Sequence, residues 1–469
     1  MIYRPQQRDM WDPSVFWYDG TYYAIMMATE DRSSGKATCG FIATSKDGVH
    51  WKDGWVAVRE LEYDKGNTFY KAFIGRVGDR FIMNHGVLQA SGQQNILRFY
   101  ESQNLRTWKY LYSTTPDARW YAIDGRWDHM YVLPKDEDNP SAGYWGYPVA
   151  TPKAGLARGL GMAESDDGRE WRTLPPPQVE WTDVPPYDLE IGGCERVEDK
   201  YIIIGGYGDY LSDGYSVYTL ISEKPCGPFR PDKEAYRLCG TSSKAAGNIM
   251  TSLAAWCHGK DNEKLISNYV SYEVAKPGTM MLPLRKPVFD DGHLRLGWWQ
   301  GNESLKGMAI ELGVPEITVE AEEKPYQIVW FGAEFDLDAG IVIEGSLLAQ
   351  YPRERASLGF AFEEAGARSM EIRLGIGNPD QRQTHIGRYN NVTGFTAQDI
   401  TGRGCATVTG IDCDKPHAFR LLVRYNLFEL YIDDLLVQTY VFQPNSGRIG
   451  LIACNVRAVF KNLVFYKMI

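Results

Sequence analysis

Short runs of apolar residues, separated by polar turns, fill the first 300 residues of the chain. A polar turn that leads into an aromatic or aliphatic run recurs five times, at residues 19–22, 78–81, 143–144, 198–201 and 261–265. A second motif, Ser-x-Asp-Gly-x-x-Trp in its fullest form, recurs at residues 45–51, 102–108, 165–171 and, more loosely, 222–229. Both motifs return after roughly 60 residues, and a fixed period of this size indicates an internal repeat.

A repeat of this length holds four short strands with their turns. Four-stranded units arranged around an axis form a β-propeller, so five copies predict a five-bladed β-propeller over residues 1–300. Taken singly, each motif is also an ordinary hairpin turn of the kind found in a β-sandwich, because Asp-Gly is a common hairpin signal. Two motifs that keep the same spacing over four or five copies favour the propeller.

Beyond residue 300 the repeat stops, and strand-like runs return with a different spacing. Most of them alternate apolar and polar residues, as half-buried antiparallel strands do. Examples are residues 341–345, 371–375, 417–424, 427–437 and 458–466. We therefore predict an all-β chain: a five-bladed β-propeller over residues 1–300, a linker over residues 301–324 and a C-terminal β-sandwich over residues 325–469.

Composition and charge narrow the possible partners. The formal net charge is -10 without a cluster of Lys and Arg, which argues against a nucleic-acid or anionic-membrane surface. The eight Cys include no Cys-x-x-Cys pair, and no second His stands at ligand spacing from His129, so we expect no metal and no cofactor. The first twenty residues lack the apolar segment of a signal peptide, so we expect a cytoplasmic protein. The oligomeric state stays unknown.

Three acidic residues stand at comparable places before the repeated turn. In a propeller the innermost strand of each blade starts near the central axis, so side chains at these starts converge on one funnel. Asp12, Asp128 and Glu190 occupy this place in the first, third and fourth repeats, whereas residues 69–71 of the second repeat offer no carboxylate. Each acid also has a structural explanation: a turn cap for the first, an ion pair with Arg126 for the second, and contacts with backbone amides for the third.

Converging carboxylates suit the cleavage of a glycosidic bond. One acid must be protonated to donate to the leaving oxygen, and another must be ionised to attack carbon or activate water. Like charges in one pocket drive the pKa values of the two groups apart, which gives each group its required state.

The order of these motifs resembles the furanosidase clans of glycoside hydrolases that use a five-bladed propeller. The likeness rests on the run Trp-Asp-Pro-Ser-Val-Phe-Trp-Tyr-Asp-Gly-Thr-Tyr-Tyr from residue 11, on the motif at residues 45–51, and on the later Asp and Glu. In family 32 a propeller is followed by a β-sandwich, and residues 419–433 resemble the signature hairpin of that sandwich. The Asn-Asp-Pro-Asn-Gly of family 32 is Trp-Asp-Pro-Ser-Val here, which is closer to family 43. Its Arg-Asp-Pro is Arg-Trp-Asp here, and its Glu-Cys-Pro is Glu-Ile-Gly.

The resemblance implies a glycoside hydrolase that cleaves terminal furanosides and is β-fructofuranosidase-like. Asp12 would be the nucleophile of a retaining, family 32-like mechanism or the general base of an inverting, family 43-like one. Glu190 would be the general acid in both, and Asp128 would hold substrate hydroxyls and tune the acid. Three nearby acids are rivals for these roles: Asp124, Asp188 and Glu195.

Sugar binding also needs aromatic faces and planar donors close to the acids. We expect substrate-binding side chains at Trp11, Arg126, Trp127, His129, Trp145 and Tyr187. The partner would be an oligosaccharide or a small glycoside, bound in a small acidic pocket. Two alternatives stay open: an inverting arabinofuranosidase or xylosidase of the family 43 type, and a propeller that binds carbohydrate without cleaving it.

Overall fold

The computed structural model describes residues 2–30, 36–59, 67–153, 159–181, 189–209, 214–232, 237–239, 250–272, 279–290, 292–323, 326–377, 382–392, 394–401 and 410–469. These residues are almost entirely β-structure, with short 3-10 helices at Pro140–Ala142, Lys260–Asn262 and Gln300–Leu305. Within these ranges, no helix is long and apolar enough to cross a membrane. The predicted all-β fold class is confirmed.

The first two blades each consist of four antiparallel strands that pair in chain order. Blade one contains β1 Met10–Tyr18, β2 Thr21–Ala28, β3 Cys39–Ser45 and β4 Trp51–Arg59. Blade two contains β5 Thr68–Val77, β6 Arg80–Leu88, β7 Ile96–Ser102 and β8 Lys109–Thr114.

The other three blades keep this order, but their outer strands are interrupted. Blade three contains β9 Trp127–Pro134, β10 Tyr144–Ala150, β11 Gly159–Leu160, β12 Met162–Ser165 and β13 Arg172–Leu174. Blade four contains β14 Glu190–Val197, β15 Lys200–Asp209, β16 Gly214–Ser222, β17 Arg230–Pro231 and β18 Arg237–Cys239. Blade five contains β19 Met250–His258, β20 Lys264–Tyr272, β21 Thr279–Met281, β22 Arg285–Asp290 and β23 His293–Trp298.

The five innermost strands form a closed ring. Each of β1, β5, β9, β14 and β19 lies beside the next one around the axis, and β19 returns to β1. The closure is a parallel pairing in which Phe16 faces His258. Tyr3 adds an antiparallel bridge to Met281 in the fifth blade, with N–H to carbonyl distances of 2.8 and 2.9 Å. The predicted five-bladed propeller is therefore confirmed.

The two repeated motifs are the turns of the blades. The first motif joins the innermost strand to the second, and the Ser-x-Asp-Gly-x-x-Trp motif joins the third strand to the fourth. In blade one, Ser45 Oγ accepts a hydrogen bond from the Gly48 N–H at 3.0 Å. Asp47 Oδ1 accepts from the N–H groups two and three residues further on, at 2.9 and 2.8 Å. Equivalent bonds recur at residues 102–107 and 165–170, so this motif is a self-capped turn.

Two six-strand layers follow the propeller in the chain, as the predicted β-sandwich requires. One layer has the order β34, β33, β32, β27, β36, with β24 and β25 together forming its sixth strand beside β36. The other has the order β26, β35, β28, β29, β30, β31. The ranges are β24 Lys306–Ile310, β25 Glu316–Glu320, β26 Gln327–Glu334, β27 Ile341–Gln350, β28 Ser357–Glu364, β29 Ser369–Gly375, β30 Thr384–Asn390, β31 Gly394–Thr401, β32 His417–Arg424, β33 Leu427–Ile432, β34 Leu435–Val441, β35 Pro444–Cys454 and β36 Arg457–Met468.

The sandwich has its own apolar core and a firm contact with the propeller. Residues 301–324, predicted as a linker, instead include β24 and β25, because both strands find an antiparallel partner in β36. Across the contact, Arg285 of blade five forms an ion pair with Glu429 of β33, and neither side chain is exposed. Hydroxyl groups of Tyr431 and Thr439 donate to the same carboxylate, at 3.0 and 3.1 Å. The exact division of the chain into domains stays a prediction.

Candidate active site

Four of the five innermost strands carry one extra residue near their start. The register shifts lie between Trp11 and Ser14 in β1, Phe69 and Ala72 in β5, Trp127 and Met130 in β9, and Ile191 and Gly193 in β14. The fifth strand, β19, pairs with β20 without interruption. Bulges re-aim side chains next to functional sites, and these four lie at the same end of the ring.

The bulge in β1 determines where Asp12 points. Its φ of 49° lies in the left-handed region, which Asp tolerates better than most residues. The Tyr269 hydroxyl donates a hydrogen bond to the Asp12 carboxylate, whose Oδ1 atom is buried and without a partner among the described atoms. A carboxylate oxygen left in this state is available to a ligand.

A cavity of about 340 Å³ opens at this end of the propeller. It is lined by Trp11, Asp12, Met27, Lys36, Ala37, Thr68, Tyr70, Lys71, Arg126, His129, Glu190 and Tyr269. Five residues predicted for the site are thus brought together from blades one, three and four. The predicted acidity of the pocket was wrong, because two lysines and an arginine offset its carboxylates.

Asp128 lies beneath the cavity floor, and its side chain is fully buried. Arg126 donates from Nη2 to Asp128 Oδ2 at 2.7 Å and from Nη1 to Glu190 Oε1 at 2.9 Å. The ring of His129 faces two acceptors: its Nδ1 lies 2.9 Å from Asp128 Oδ1, and its Nε2 lies 3.0 Å from the Ile191 carbonyl. One carboxylate therefore fixes both the arginine and the histidine that line the cavity.

The charge state of Asp128 follows from these contacts. Burial alone would raise the pKa of its carboxyl group, but the Arg126 guanidinium and the hydrogen bonds of His129 outweigh burial and hold the pKa well below its usual range. Asp128 is therefore a permanent anion that positions its neighbours, and it is not a proton donor at neutral pH.

Two of the predicted substrate-binding tryptophans do not line the cavity. Trp127 precedes the bulge of β9, so its side chain points into the core between blades. There its indole N–H donates a hydrogen bond to Thr114 Oγ1 at 3.1 Å. Trp145 lies on β10, the second strand of its blade, and the Lys135 ammonium sits 4.4 Å from its ring centroid. Both are packing residues.

Two of the three rival acids belong to the described residues, and neither lines the cavity. Asp124 is exposed in a turn before β9, away from the cavity lining. Glu195 has no exposed surface and accepts a hydrogen bond of 2.6 Å from the Tyr131 hydroxyl, so it belongs to the interior of the ring. Asp188 and the predicted substrate contact Tyr187 lie outside the described residues.

Seven of the twelve lining residues were not predicted, among them Tyr70, Lys71 and Tyr269. The signal for the first two was present, because residues 69–71 stand at the place in the second repeat that carries a carboxylate in the first. Only carboxylates were expected at this place, because cleavage of a glycosidic bond needs acids. Nothing in the sequence marks Tyr269, which reaches the cavity from β20, a second strand of its blade.

The fold matches those of solved furanosidases over essentially the whole chain. An exo-inulinase from Aspergillus awamori is 14% identical, with a TM-score of 0.66 and coverage of 98% of this chain and 97% of that one. Sucrose-6-phosphate hydrolase from Lactobacillus gasseri is 14% identical, with a TM-score of 0.69 and coverage of 98% and 91%.

Fructan 1-exohydrolase IIa from Cichorium intybus is 11% identical, with a TM-score of 0.70 and coverage of 100% and 96%. No protein-family model and no curated protein sequence matches the chain. The likeness therefore establishes the fold, a propeller followed by a sandwich, as the resemblance implied.

Proposed function

We propose that this protein is a glycoside hydrolase that cleaves terminal furanosides with Asp12 and Glu190 as its reacting carboxylates. One observation carries the proposal: these two acids, from blades one and four, line the same small cavity at the axis. The names of the similar solved structures, which include exo-inulinase and fructan 1-exohydrolase, support fructan-type furanosides as the first substrates to test.

The roles of the two acids are those that the resemblance to the furanosidase families implies. In a retaining reaction, Asp12 attacks the anomeric carbon while the bond to the leaving oxygen breaks, and Glu190 delivers the proton that this oxygen needs. Water then hydrolyses the glycosyl-enzyme ester, and its proton returns to Glu190. In an inverting reaction, Asp12 would instead take a proton from the attacking water. Both reactions need Asp12 ionised and Glu190 protonated.

The experiment is hydrolysis of sucrose, 1-kestose, inulin and aryl furanosides by the purified protein and by two variants. Asp12→Asn and Glu190→Gln each remove one reacting group, so we expect turnover to fall by about a hundred- to ten-thousandfold. Asn also tolerates the left-handed backbone at position 12, so the unfolding midpoint should stay nearly unchanged. The anomer first released, followed by NMR, distinguishes retention from inversion.

The matched control is Asp19→Asn. Asp19 shares the positive φ of Asp12, at 45°, but lies exposed in the turn after β1. This variant should keep full activity. Sugar binding without release across the panel would contradict the hydrolase and favour a carbohydrate-binding propeller.

A further inference from the structure

Lys71 is a charged residue that the second blade contributes to the lining of the cavity. It lies in the bulge of β5, at the same end of the ring as the bulge that carries Asp12 in the neighbouring β1. Its side chain lines the cavity and is only 7% exposed. The second blade thus contributes a cation where the first contributes an acid.

The ammonium group of Lys71 makes no hydrogen bond or close ion pair with another described residue. Burying a charged amine without such a partner is unfavourable for folding. The packing of the protein therefore gives no reason for a lysine at this position, which points to a role in the cavity.

The other charged groups around the cavity already have close partners. Arg126 donates hydrogen bonds to both Asp128 and Glu190. Asp12 receives only a hydroxyl donor, Tyr269, and keeps one buried oxygen unpartnered. Of the cations that line the cavity, Lys71 is the one whose charge acts most strongly on the Asp12 carboxylate.

We propose that Lys71 is a positioning residue that keeps Asp12 in its carboxylate form. Burial raises the pKa of Asp12, and among the neighbouring charges Lys71 opposes that rise most strongly, whereas Glu190 adds to it. The Tyr269 hydroxyl and His129 act in the same direction as Lys71.

The same coupling acts on Lys71 itself. Burial lowers the pKa of the lysine, Asp12 is the first of the three carboxylates that oppose this, and Arg126 lowers it further. Each group thus opposes the shift that burial imposes on the other, although burial remains the larger effect on both pKa values. The role of Asp12 as nucleophile or base rests on the proposed function, whereas the pairing of the two charges does not.

The first test is the pH profile of kcat/KM for Lys71→Met, which keeps the length of the side chain and removes its charge. Loss of an opposite charge beside a buried carboxylate raises its pKa, so the acid limb should move to higher pH by about one unit. The loss of activity should be largest at low pH and shrink as pH rises. Lys71→Arg, which keeps the positive charge, should return the acid limb most of the way to its wild-type pH.

Lys52→Met is the control, because Lys52 is exposed on β4 and its removal should leave the profile unchanged. An acid limb at its wild-type position in Lys71→Met would overturn the proposal, even if the overall activity fell.

The second test needs no activity. In a double-mutant cycle on thermal unfolding, Lys71→Met should lower the midpoint in the wild-type background, where it leaves the Asp12 carboxylate without a cation. In the Asp12→Asn background it should raise the midpoint, because it then removes an unpaired buried ammonium group. Additive effects would overturn the pairing. A strong coupling in a protein that hydrolyses no furanoside would retain the pairing and reject the proposed function.

Discussion

Asp128 lies against the α-carbon of Gly86 so closely that a methyl group at position 86 would meet its Oδ1 atom at 2.8 Å. Gly86 belongs to β6, the second strand of blade two, so the absence of a side chain in one blade makes room for the carboxylate of the next. We expect Gly86→Ala to displace Asp128 and, with it, the arginine that holds Glu190. Because a shift of about 1 Å in a catalytic group can lower the rate about a hundredfold, kcat/KM should fall by roughly that factor.

The matched control for this prediction is Gly332→Ala in the sandwich. A methyl group there would meet no atom within 4 Å, so activity and stability should stay at wild-type values. Full activity of Gly86→Ala would show that Asp128 has no part in positioning the site.

Glu195→Gln should show whether Glu195 has a structural role, in contrast to the catalytic role proposed for Glu190 in the same blade. Glu195 is fully buried and bonded to the Tyr131 hydroxyl and to His258 Nε2, at 2.6 and 3.0 Å. Loss of its charge should lower the free energy of unfolding by about 1–3 kcal/mol while turnover per folded molecule stays nearly unchanged. Glu190→Gln should show the reverse pattern in urea unfolding and in steady-state kinetics. A Glu195→Gln protein that is stable but inactive would move the acid role to Glu195.

The pairing of His258 with Glu195 predicts a pH-dependent stability. Burial would lower the pKa of His258, but Glu195 outweighs burial and raises the pKa above the ordinary value of 6.5, with Lys264 opposing and Glu137 assisting. A raised folded-state pKa stabilises the protein fully below the unfolded-state pKa, and this contribution is lost as pH rises through the folded-state pKa. The stability difference between wild type and His258→Gln should therefore be larger at pH 6 than at pH 9. A difference that grows with pH would contradict the pairing.

The buried ion pair between propeller and sandwich should be costly to break on one side only. Arg285→Met leaves Glu429 charged and buried, and we expect a loss of about 3–5 kcal/mol in the free energy of unfolding. The double variant Arg285→Met, Glu429→Met should recover most of that loss. Arg59→Met is the control, since Arg59 pairs with Glu30 at an exposed site where ion pairs contribute about 1 kcal/mol or less. Equal losses in the two arginine variants would argue against a special role for the buried pair.

The fold could be predicted because its blades repeat in the sequence. The site could be predicted only in part, since it depends on local departures from that repeat. The turn motifs recur in every blade or nearly so, and each copy forms its own hydrogen bonds, as at Ser45 and Asp47. Asp12 and Glu190 could be placed by counting back from the turns. The bulges could not, since one additional residue in a strand leaves no compositional trace.

The misplaced tryptophans show the same limit. Trp127 and Asp128 are adjacent in sequence, and either could have faced the axis until the register of β9 was known. The bulge at residues 128–129 decides this, because it places the acid beneath the cavity and turns the tryptophan into the core. Lys71 was missed for another reason. The role proposed for it depends on a charge contributed by a different blade, and a local sequence pattern does not indicate which residues of two blades come together.

The ring closure between β1 and β19 has a consequence for biosynthesis. The ribosome releases the first strand early, but its parallel neighbour belongs to the fifth blade and emerges only after most of the propeller has been made. Throughout that interval the nascent chain presents a strand edge that could pair with another polypeptide. The yield of native protein should therefore depend on how crowded the growing chains are and on chaperones that shield the open end, more than on the stability of any single blade.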